Sequence, residues 1–280
     1  MIAATRQAVS LALYANLRLR LSPECAEIRA YFFKAYFHPM IDLNQKVCLV
    51  TGAGEGIGAG IVRGFARRGA RVVATDIQTP QHAEAEMNLA YNVSDAARAS
   101  QVVEETVRRC GRLDAFVANA GVMTRQRWDE ISPDDWRDMM RVNLDGAWHG
   151  AQAAARVMKE QGSGKIVFVS SVEILMGVAD HCHYDATKAA LIGLTRSLAH
   201  AVGKDGVRVN CVMPGAVQTE GEARFFPDQE SLAQTLAERQ CLPHRLTPDG
   251  IEPVFAFLCS SESDCISGQV ICADHGLVHW

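Results

Sequence analysis

The chain lacks the features that mark membrane proteins and nucleic-acid-binding proteins. No apolar run in its 280 residues reaches the ~18 residues that a membrane span requires. The formal net charge is −4, so there is no excess of basic residues to attract nucleic acid or an anionic membrane. We therefore expect neither nucleic acid nor a membrane among its partners.

Paired cysteine motifs are also missing. The nine cysteines are scattered and odd in number, and none forms a Cys-x-x-Cys pair. This pattern is typical of reduced intracellular thiols that serve as small core residues. We therefore expect a cytoplasmic protein.

What the chain does contain is enough apolar material for a sizeable core, since 48% of its residues are hydrophobic. From Lys46 onward, short apolar strands alternate with helices, and no linker or low-complexity stretch interrupts them. Strands that are apolar along their whole length predict a parallel sheet covered on both faces. The sequence thus predicts an α/β class and one doubly wound domain over residues 40–280, with a mostly parallel sheet and helices on both faces.

The expected elements follow from this alternation. The predicted strands are 47–51, 71–76, 89–93, 113–119, 165–171, 207–212 and 269–273. The main predicted helices are 57–68, 96–110, 134–161, 184–202 and 251–260.

Residues 1–39 do not match the domain that follows. Their first 23 positions contain three arginines and no acid. This extension could be a targeting peptide, an amphipathic surface anchor, an accessory helix, or an artefact of start assignment. We favour the artefact, with translation beginning at Met40, because that methionine stands just before the first convincing strand.

A glycine-rich turn, Thr51–Gly58, connects the first predicted strand to its helix. Glycines in that place let the backbone approach a pyrophosphate, and the N-terminus of the helix faces its negative charge. A tight turn without a ligand is the alternative. The strand before and the helix after it are the context that a nucleotide site needs, so we predict such a site.

Asp76 ends the second predicted strand and indicates which dinucleotide binds. An acid at this position accepts hydrogen bonds from the adenosine ribose hydroxyls and repels a 2′-phosphate. Glu55 adds a second acid in the turn, and Ile77 and Gln78 supply no cation. An aspartate that merely ends a strand is the alternative interpretation. We predict NAD rather than NADP.

Tyr184 and Lys188 are four residues apart and therefore share one face of a predicted helix. A free tyrosine titrates near pH 10, and a nearby ammonium group favours the phenolate and lowers its pKa. The pair would form a proton-transfer group if a substrate and a hydride carrier lay beside it. The spacing by itself fits an ordinary amphipathic helix equally well.

Together these motifs resemble the short-chain dehydrogenase/reductase family, over about residues 44 to 276. The glycine turn, the Asn119-Ala120-Gly121 signature and the Tyr-x-x-x-Lys pair all match it. The resemblance implies a Rossmann-type fold with a seven-stranded sheet and a homo-oligomer, either a tetramer or a dimer. Asp274-His275-Gly276 departs from the usual Asp-Gly-Gly.

The resemblance also implies a set of cofactor contacts. Asn92 and Val93 stand where members usually carry Asp-Val against the adenine ring. The implied cofactor residues are Gly52, Glu55, Gly56, Ile57, Gly58, Asp76, Asn92, Val93, Asn119, Ala120, Gly121, Tyr184, Lys188, Pro214, Gly215, Val217 and Thr219.

A catalytic tetrad is implied as well. The family serine lies 13 residues before the tyrosine, which selects Ser171, and Asn143 fits the family asparagine. Tyr184 would exchange a proton with the substrate oxygen, and Ser171 would hydrogen-bond that oxygen. Lys188 would lower the tyrosine pKa and bind the nicotinamide ribose, and Asn143 would hold a water linked to Lys188.

The substrate residues are expected between the serine and the tyrosine, where members of this family commonly line their pocket. Glu173 and His181 are the polar candidates, and Phe225 lies in the variable lid segment, residues 220–239. Each could instead face solvent, brace a loop or pack the lid. His181 and His183 resemble half a metal site, but no third ligand is evident, so we expect no metal.

These inferences converge on an NAD-dependent oxidoreductase. It would transfer a hydride between NAD(H) and a secondary alcohol or ketone, such as a small polyol, sugar or cyclic alcohol. One alternative is a 3-oxoacyl-thioester reductase, although Glu55 replaces the basic residue common in that turn. A non-catalytic dinucleotide sensor or scaffold is another, although such proteins tend to lose the tyrosine or lysine.

Overall fold

A computed structural model describes residues 41–279 of the chain. The N-terminal extension, and each interpretation offered for it, lies outside the described residues.

The described residues form a parallel seven-stranded sheet. Its strands are β1 Val47–Thr51, β2 Arg71–Asp76, β3 Met87–Ala90, β4 Ala115–Ala118, β5 Gly164–Val169, β6 Val207–Pro214 and β7 Val270–Ala273. They lie in the order β3-β2-β1-β4-β5-β6-β7, and each neighbouring pair is parallel. The predicted doubly wound, Rossmann-type sheet is confirmed.

Helices connect the strands. They are α1 Gly56–Arg67, α2 Ala96–Cys110, α3 Pro133–Met140, α4 Gly146–Gln161, α5 Glu173–Met176, α6 Cys182–Val202, α7 Glu220–Phe225, α8 Gln229–Arg239 and α9 Pro248–Cys259. Within 41–279, none of them is long and apolar enough to cross a membrane.

The prediction of one continuous α-helix over 134–161 is wrong in one respect. A π-helical segment, Arg141–Asp145, separates α3 from α4. The wider π turn coincides with Asn143, whose buried amide bonds to the backbone of Val122 in a neighbouring loop. Such local widening is frequent at functional sites.

Both faces of the sheet are buried, which explains the unbroken apolar strands. Val47 and Leu49 of β1 face a core that includes side chains of α2, α4 and α6. Cys48 and Val50 face a second core that includes side chains of α1 and α9. The adjacent residues of one strand therefore pack into different cores, and all of them must be apolar or small.

The direction of the strands determines where a site can form. Their carboxyl ends meet at one edge, so the segments after β1, β4, β5 and β6 lie side by side. The strand order reverses between β1 and β4, and ligands of such sheets bind in the crevice outside this switch point.

Candidate active site

The turn after β1 requires glycine at several positions. Gly52 and Gly56 have φ values of 63° and 58°, in the left-handed region that favours glycine. A Cβ on Gly58 would lie 2.0 Å from the Gly52 carbonyl oxygen. The Asn119 amide braces the turn, donating hydrogen bonds of 3.0 and 2.8 Å to the carbonyls of Thr51 and Gly52. This close packing holds the backbone amides of the turn in place.

A cleft of about 600 Å³ opens beside this turn, between α1 and the lid segment. The Gly56 amide, at the N-terminus of α1, donates a 3.2 Å hydrogen bond to Glu220 Oε2. A carboxylate is thus held at the helix terminus where a pyrophosphate is expected, and both groups are anions that accept from such amides. The cradle and its chemistry fit a dinucleotide.

Asp76 lies at the end of β2 beside the same turn. Its Oδ2 accepts from the Gly54 amide at 2.8 Å, and its Oδ1 accepts from the Ile77 amide at 2.6 Å. The carboxylate is therefore fixed against the glycine turn by backbone donors.

The other predicted cofactor residues surround the crevice, but several have structural roles of their own. Asn92 Oδ1 accepts from the Ser94 amide and hydroxyl, within its own turn. Val93 is buried against Gly146. Thr219 caps the N-terminus of α7 by accepting from the Glu222 amide at 3.0 Å.

The segment after β6 is likewise packed against neighbouring strands and loops. The Gly215 amide donates to the Ala273 carbonyl after Pro214 ends β6, and Val217 bridges to Leu246. A Cβ on Gly215 would lie 2.7 Å from Asp274 Cβ. Asp274, in the turn that departs from the family pattern at His275, is buried and accepts from two backbone amides further along the chain.

The predicted tetrad comes together at the ends of β4 and β5. Lys188 Nζ, on α6, donates to the Val169 carbonyl at 2.9 Å and lies 5.6 Å from the centroid of the Tyr184 ring. A Cβ on Gly121 would lie 3.3 Å from both Asn143 Oδ1 and Lys188 Nζ, so both atoms border the same loop. Ser171 lies two residues after the end of β5.

Asn143 is almost completely buried, and its side chain braces the loop after β4. Its Nδ2 donates to the Val122 carbonyl at 2.8 Å, and its Oδ1 accepts from the Val122 amide at 2.8 Å. A further 3.2 Å hydrogen bond joins Nδ2 to Thr187 Oγ1 on α6. The side chain thus positions the loop that borders Lys188.

Burial controls the electrostatics of the pair. Burial raises the pKa of Tyr184, the Glu173 carboxylate raises it further, and a hydrogen bond with Ser171 opposes the rise. Burial lowers the pKa of Lys188 to about 8. The net direction for the pKa of Tyr184 is opposite to the one expected from the lysine, because desolvation of the phenolate is the largest effect.

Glu173 and His181 contact each other beside Tyr184. His181 Nδ1 lies 2.8 Å from Glu173 Oε2, and the histidine is fully buried. The Glu173 amide donates to Ser171 Oγ at 3.2 Å. His181 places its ring centroid 5.7 Å from that of Tyr184. Neither residue simply faces solvent.

The lid segment lies across the cofactor cleft. Arg224 forms a 2.5 Å ion pair with Glu55 of the glycine turn. Phe225 is partly buried, and the guanidinium carbon of Arg125 lies 4.4 Å from the centroid of the Phe226 ring. Sequence reasoning missed Glu220, since its contact spans 164 residues along the chain and no local motif announces it.

His181 and His183, whose spacing resembles half a metal site, contact different partners. His183 Nε2 lies 2.9 Å from Thr124 Oγ1, whereas His181 is paired with Glu173. Among residues 41–279 there is no group of three or more His, Cys, Asp or Glu side chains arranged to hold a metal ion.

Comparisons with known proteins support the family and the fold. The family model described as enoyl-(acyl carrier protein) reductase matches residues 52–278. A probable galactose dehydrogenase of Rhizobium meliloti is 36% identical over 253 residues, covering 84% of this chain and 96% of the relative. A 3-oxoacyl-[acyl-carrier-protein] reductase of Thermotoga maritima is 34% identical over 247 residues, covering 84% and 99%.

A solved structure is similar as well. The gluconate 5-dehydrogenase of Burkholderia cenocepacia, in complex with NADP and tartrate, superposes with a TM-score of 0.78 at 32% identity, covering 85% of this chain and 96% of the other. The chain belongs to the short-chain dehydrogenase/reductase family.

Proposed function

We propose that this oxidoreductase transfers a hydride between NAD(H) and a secondary alcohol or its ketone, and that small polyols, sugars or cyclic alcohols are its substrates. The observation that carries the proposal is the arrangement of Ser171, Tyr184 and Lys188 beside a glycine turn that holds an anion at its helix terminus. In this reading residues 40–280 are one catalytic domain.

Each member of the tetrad has a distinct role in the proposed reaction. The bound nicotinamide supplies the hydride acceptor or donor. Tyr184 removes the hydroxyl proton during oxidation. Because the Glu173 amide donates to Ser171 Oγ, the serine proton is available to the substrate oxygen. Lys188 contributes its charge and would hold the ribose, and Asn143 holds the adjacent loop.

The proposed cofactor is NAD, held by the family positions named above. Asp76 and Glu55 place two carboxylates near the turn, which disfavours an additional phosphate on the adenosine ribose. The related gluconate 5-dehydrogenase was solved with NADP, so cofactor choice must be measured on this chain.

The substrate class is supported by the sugar and sugar-acid dehydrogenases among the relatives. It is also supported by the polar residues near Tyr184. Glu173 and His181 would contact or orient a hydroxylated substrate, and Phe225 would cover it from the lid.

Removal of the tyrosine hydroxyl tests the proposal. Tyr184→Phe should lower kcat/KM for the best alcohol by about 100- to 10,000-fold, the usual contribution of a proton-transfer group. NADH affinity, measured by fluorescence titration, should change little. Tyr91→Phe is the matched control, because the buried Tyr91 hydroxyl has no hydrogen-bond partner within residues 41–279. Full activity in Tyr184→Phe would refute the assignment.

The similarity to a 3-oxoacyl-[acyl-carrier-protein] reductase supports a second candidate reaction. Reduction of an acetoacetyl thioester with NADPH, faster than oxidation of any sugar or polyol with NAD, would favour that candidate. An absence of turnover in both directions would instead favour a dinucleotide sensor.

We further propose a cytoplasmic homo-oligomer, a tetramer or dimer, by similarity to the family. The molar mass in solution, measured by light scattering, would contradict this if it equalled the 30.5 kDa of one chain.

A further inference from the structure

His181 has a polar atom that the described structure leaves unused. The side chain is only 1% exposed, and its Nδ1 is paired with Glu173 Oε2 at 2.8 Å. Its Nε2, at the opposite edge of the ring, is buried and has no hydrogen-bond partner among the described residues. A buried polar atom without a partner destabilises a fold, so such atoms are rare and usually have a role.

The ring of His181 lies beside the ring of Tyr184. His181 stands directly before α6 and three residues before Tyr184. Their ring centroids are 5.7 Å apart and the rings are tilted by 60°. Glu173 also ties the pair to Ser171 through its amide. His181 therefore belongs to the same cluster as the proposed proton donor and its serine.

The partner of Nδ1 determines what Nε2 can do. A carboxylate only accepts hydrogen bonds, so Nδ1 must carry the proton in the contact with Glu173. In the neutral ring Nε2 is then an acceptor with a free lone pair. The group that best satisfies it is a hydroxyl, which can donate.

We propose that His181 Nε2 accepts a hydrogen bond from a second substrate hydroxyl, on the carbon next to the one that is oxidised. Glu173 fixes the histidine tautomer and so acts as a positioning residue. His181 is then a specificity residue that selects vicinal diols and sugars over simple alcohols. This inference rests on the proposed function, since it requires that Tyr184 acts on an alcohol.

Matched substrates and variants test the proposal. The probes are cyclohexanol, cis- and trans-1,2-cyclohexanediol, 2-methoxycyclohexanol, and the pair of D-galactose and 2-deoxy-D-galactose. Wild-type kcat/KM should be about 10- to 100-fold higher for the better diol than for cyclohexanol or 2-methoxycyclohexanol. Cyclohexanol lacks the second hydroxyl, and the methoxy group that replaces it in the ether cannot donate a hydrogen bond. The wild-type comparison does not depend on whether any variant folds.

Two variants then assign the preference to the histidine. His181→Phe should lower the ratio of kcat/KM for the diol to kcat/KM for cyclohexanol by about 10- to 100-fold. His181→Gln, whose side-chain amide has an oxygen that can accept a hydrogen bond, should recover part of the preference for the diol. A substrate-dependent loss of this kind is not expected from a merely structural role, which would lower turnover of all substrates together.

The possible failures separate the two claims. If the wild type oxidises these alcohols with no preference for the diols or for D-galactose, or if His181→Phe lowers all substrates equally, the role of His181 is overturned while the proposed function stands. If Tyr184→Phe has no effect on turnover, or if no alcohol is oxidised, the proposed function fails and the inference fails with it.

Discussion

Glu173 connects the residues that we expect to react. Its amide contacts the Ser171 hydroxyl, its carboxylate holds His181, and its charge raises the pKa of Tyr184. The same carboxylate raises the pKa of Lys188, although burial dominates and lowers it to about 8. A single acid therefore influences both the geometry and the protonation of the site, and its effect on Tyr184 favours the protonated phenol.

Asp76 should decide the choice of dinucleotide. We expect wild-type kcat/KM to favour NAD, because the Asp76 carboxylate repels a 2′-phosphate. Asp76→Asn removes the charge and keeps one carbonyl oxygen, which can accept from only one of the Gly54 and Ile77 amides. The NADP-to-NAD ratio of kcat/KM should then rise about tenfold or more, as expected for loss of one close like charge.

The control for this charge effect is Glu84→Gln, which removes one exposed carboxylate from the loop after β2. It should leave the ratio within about twofold, since this carboxylate is exposed to solvent and its charge is screened by salt. Equal efficiency of the wild type with NAD and NADP would contradict the assignment.

Local spacing is the reason why Tyr184, Lys188 and Asp76 could be selected as candidates from the sequence. Tyr184 and Lys188 are one helical turn apart, and Asp76 is the last residue of a strand. The contact of Glu220 with Gly56 could not be predicted, because it depends on how the lid packs. The direction of the Tyr184 pKa shift could not be predicted from the sequence either. Burial raises this pKa, and burial is a property of the folded site.

At the level of elements, α7 closes over the N-terminus of α1. Glu220 accepts from the Gly56 amide, and Arg224 pairs with Glu55. A partly buried ion pair between Glu222 and Arg245 also anchors this helix. The lid is thus held by charged contacts, two of which involve the turn that a pyrophosphate would occupy.

Because Glu220 holds the amide that a pyrophosphate would use, its removal should tighten NADH binding. Glu220→Ala should lower the Kd about two- to fivefold, the range expected for one anion at a helix N-terminus. Fluorescence titration of NADH measures this without turnover. Glu230→Ala is the matched control, since Glu230 is an exposed acid in the first turn of the neighbouring lid helix, α8.

Weaker binding in Glu220→Ala, or an equal effect in both variants, would show that Glu220 does not compete with the cofactor. The effect should also shrink as salt concentration rises, because the competing groups are charged and partly exposed.

The alternation of strands and helices was predictable because burial on both faces leaves unbroken apolar runs. The exact ends of the strands and helices were less predictable. β4 is Ala115–Ala118, shorter than the expected 113–119, because the residues beyond it turn into the site: Asn119 bonds to the glycine turn instead of a neighbouring strand. The π-helical segment was not predictable either, since it depends on the fit between Asn143 and the loop at Val122.

For the whole molecule, the fold is built from two cores that together involve side chains from Leu43 to Ala273. Leu43 is fully buried in the core that also contains side chains of α1 and α9. Its amide donates to the Arg68 carbonyl, and the Gln45 amide donates to the Gly69 carbonyl at 2.9 Å. The five residues before β1 are therefore part of the domain.

A truncation series tests whether residues 40–280 are self-sufficient. A variant beginning at Met40 should unfold cooperatively, with a Tm and kcat/KM close to those of the full chain, because it keeps Leu43 and the strands β1–β7. A variant beginning at Lys46 lacks Leu43, whose burial contributes about 1.5–3 kcal/mol, and the two backbone hydrogen bonds. Its Tm should fall by roughly 5–10 °C, at about 2–4 °C per kcal/mol for a domain of this size. If the Met40 variant instead loses activity or cooperative unfolding relative to the full chain, residues 1–39 are required and the start-site interpretation is wrong.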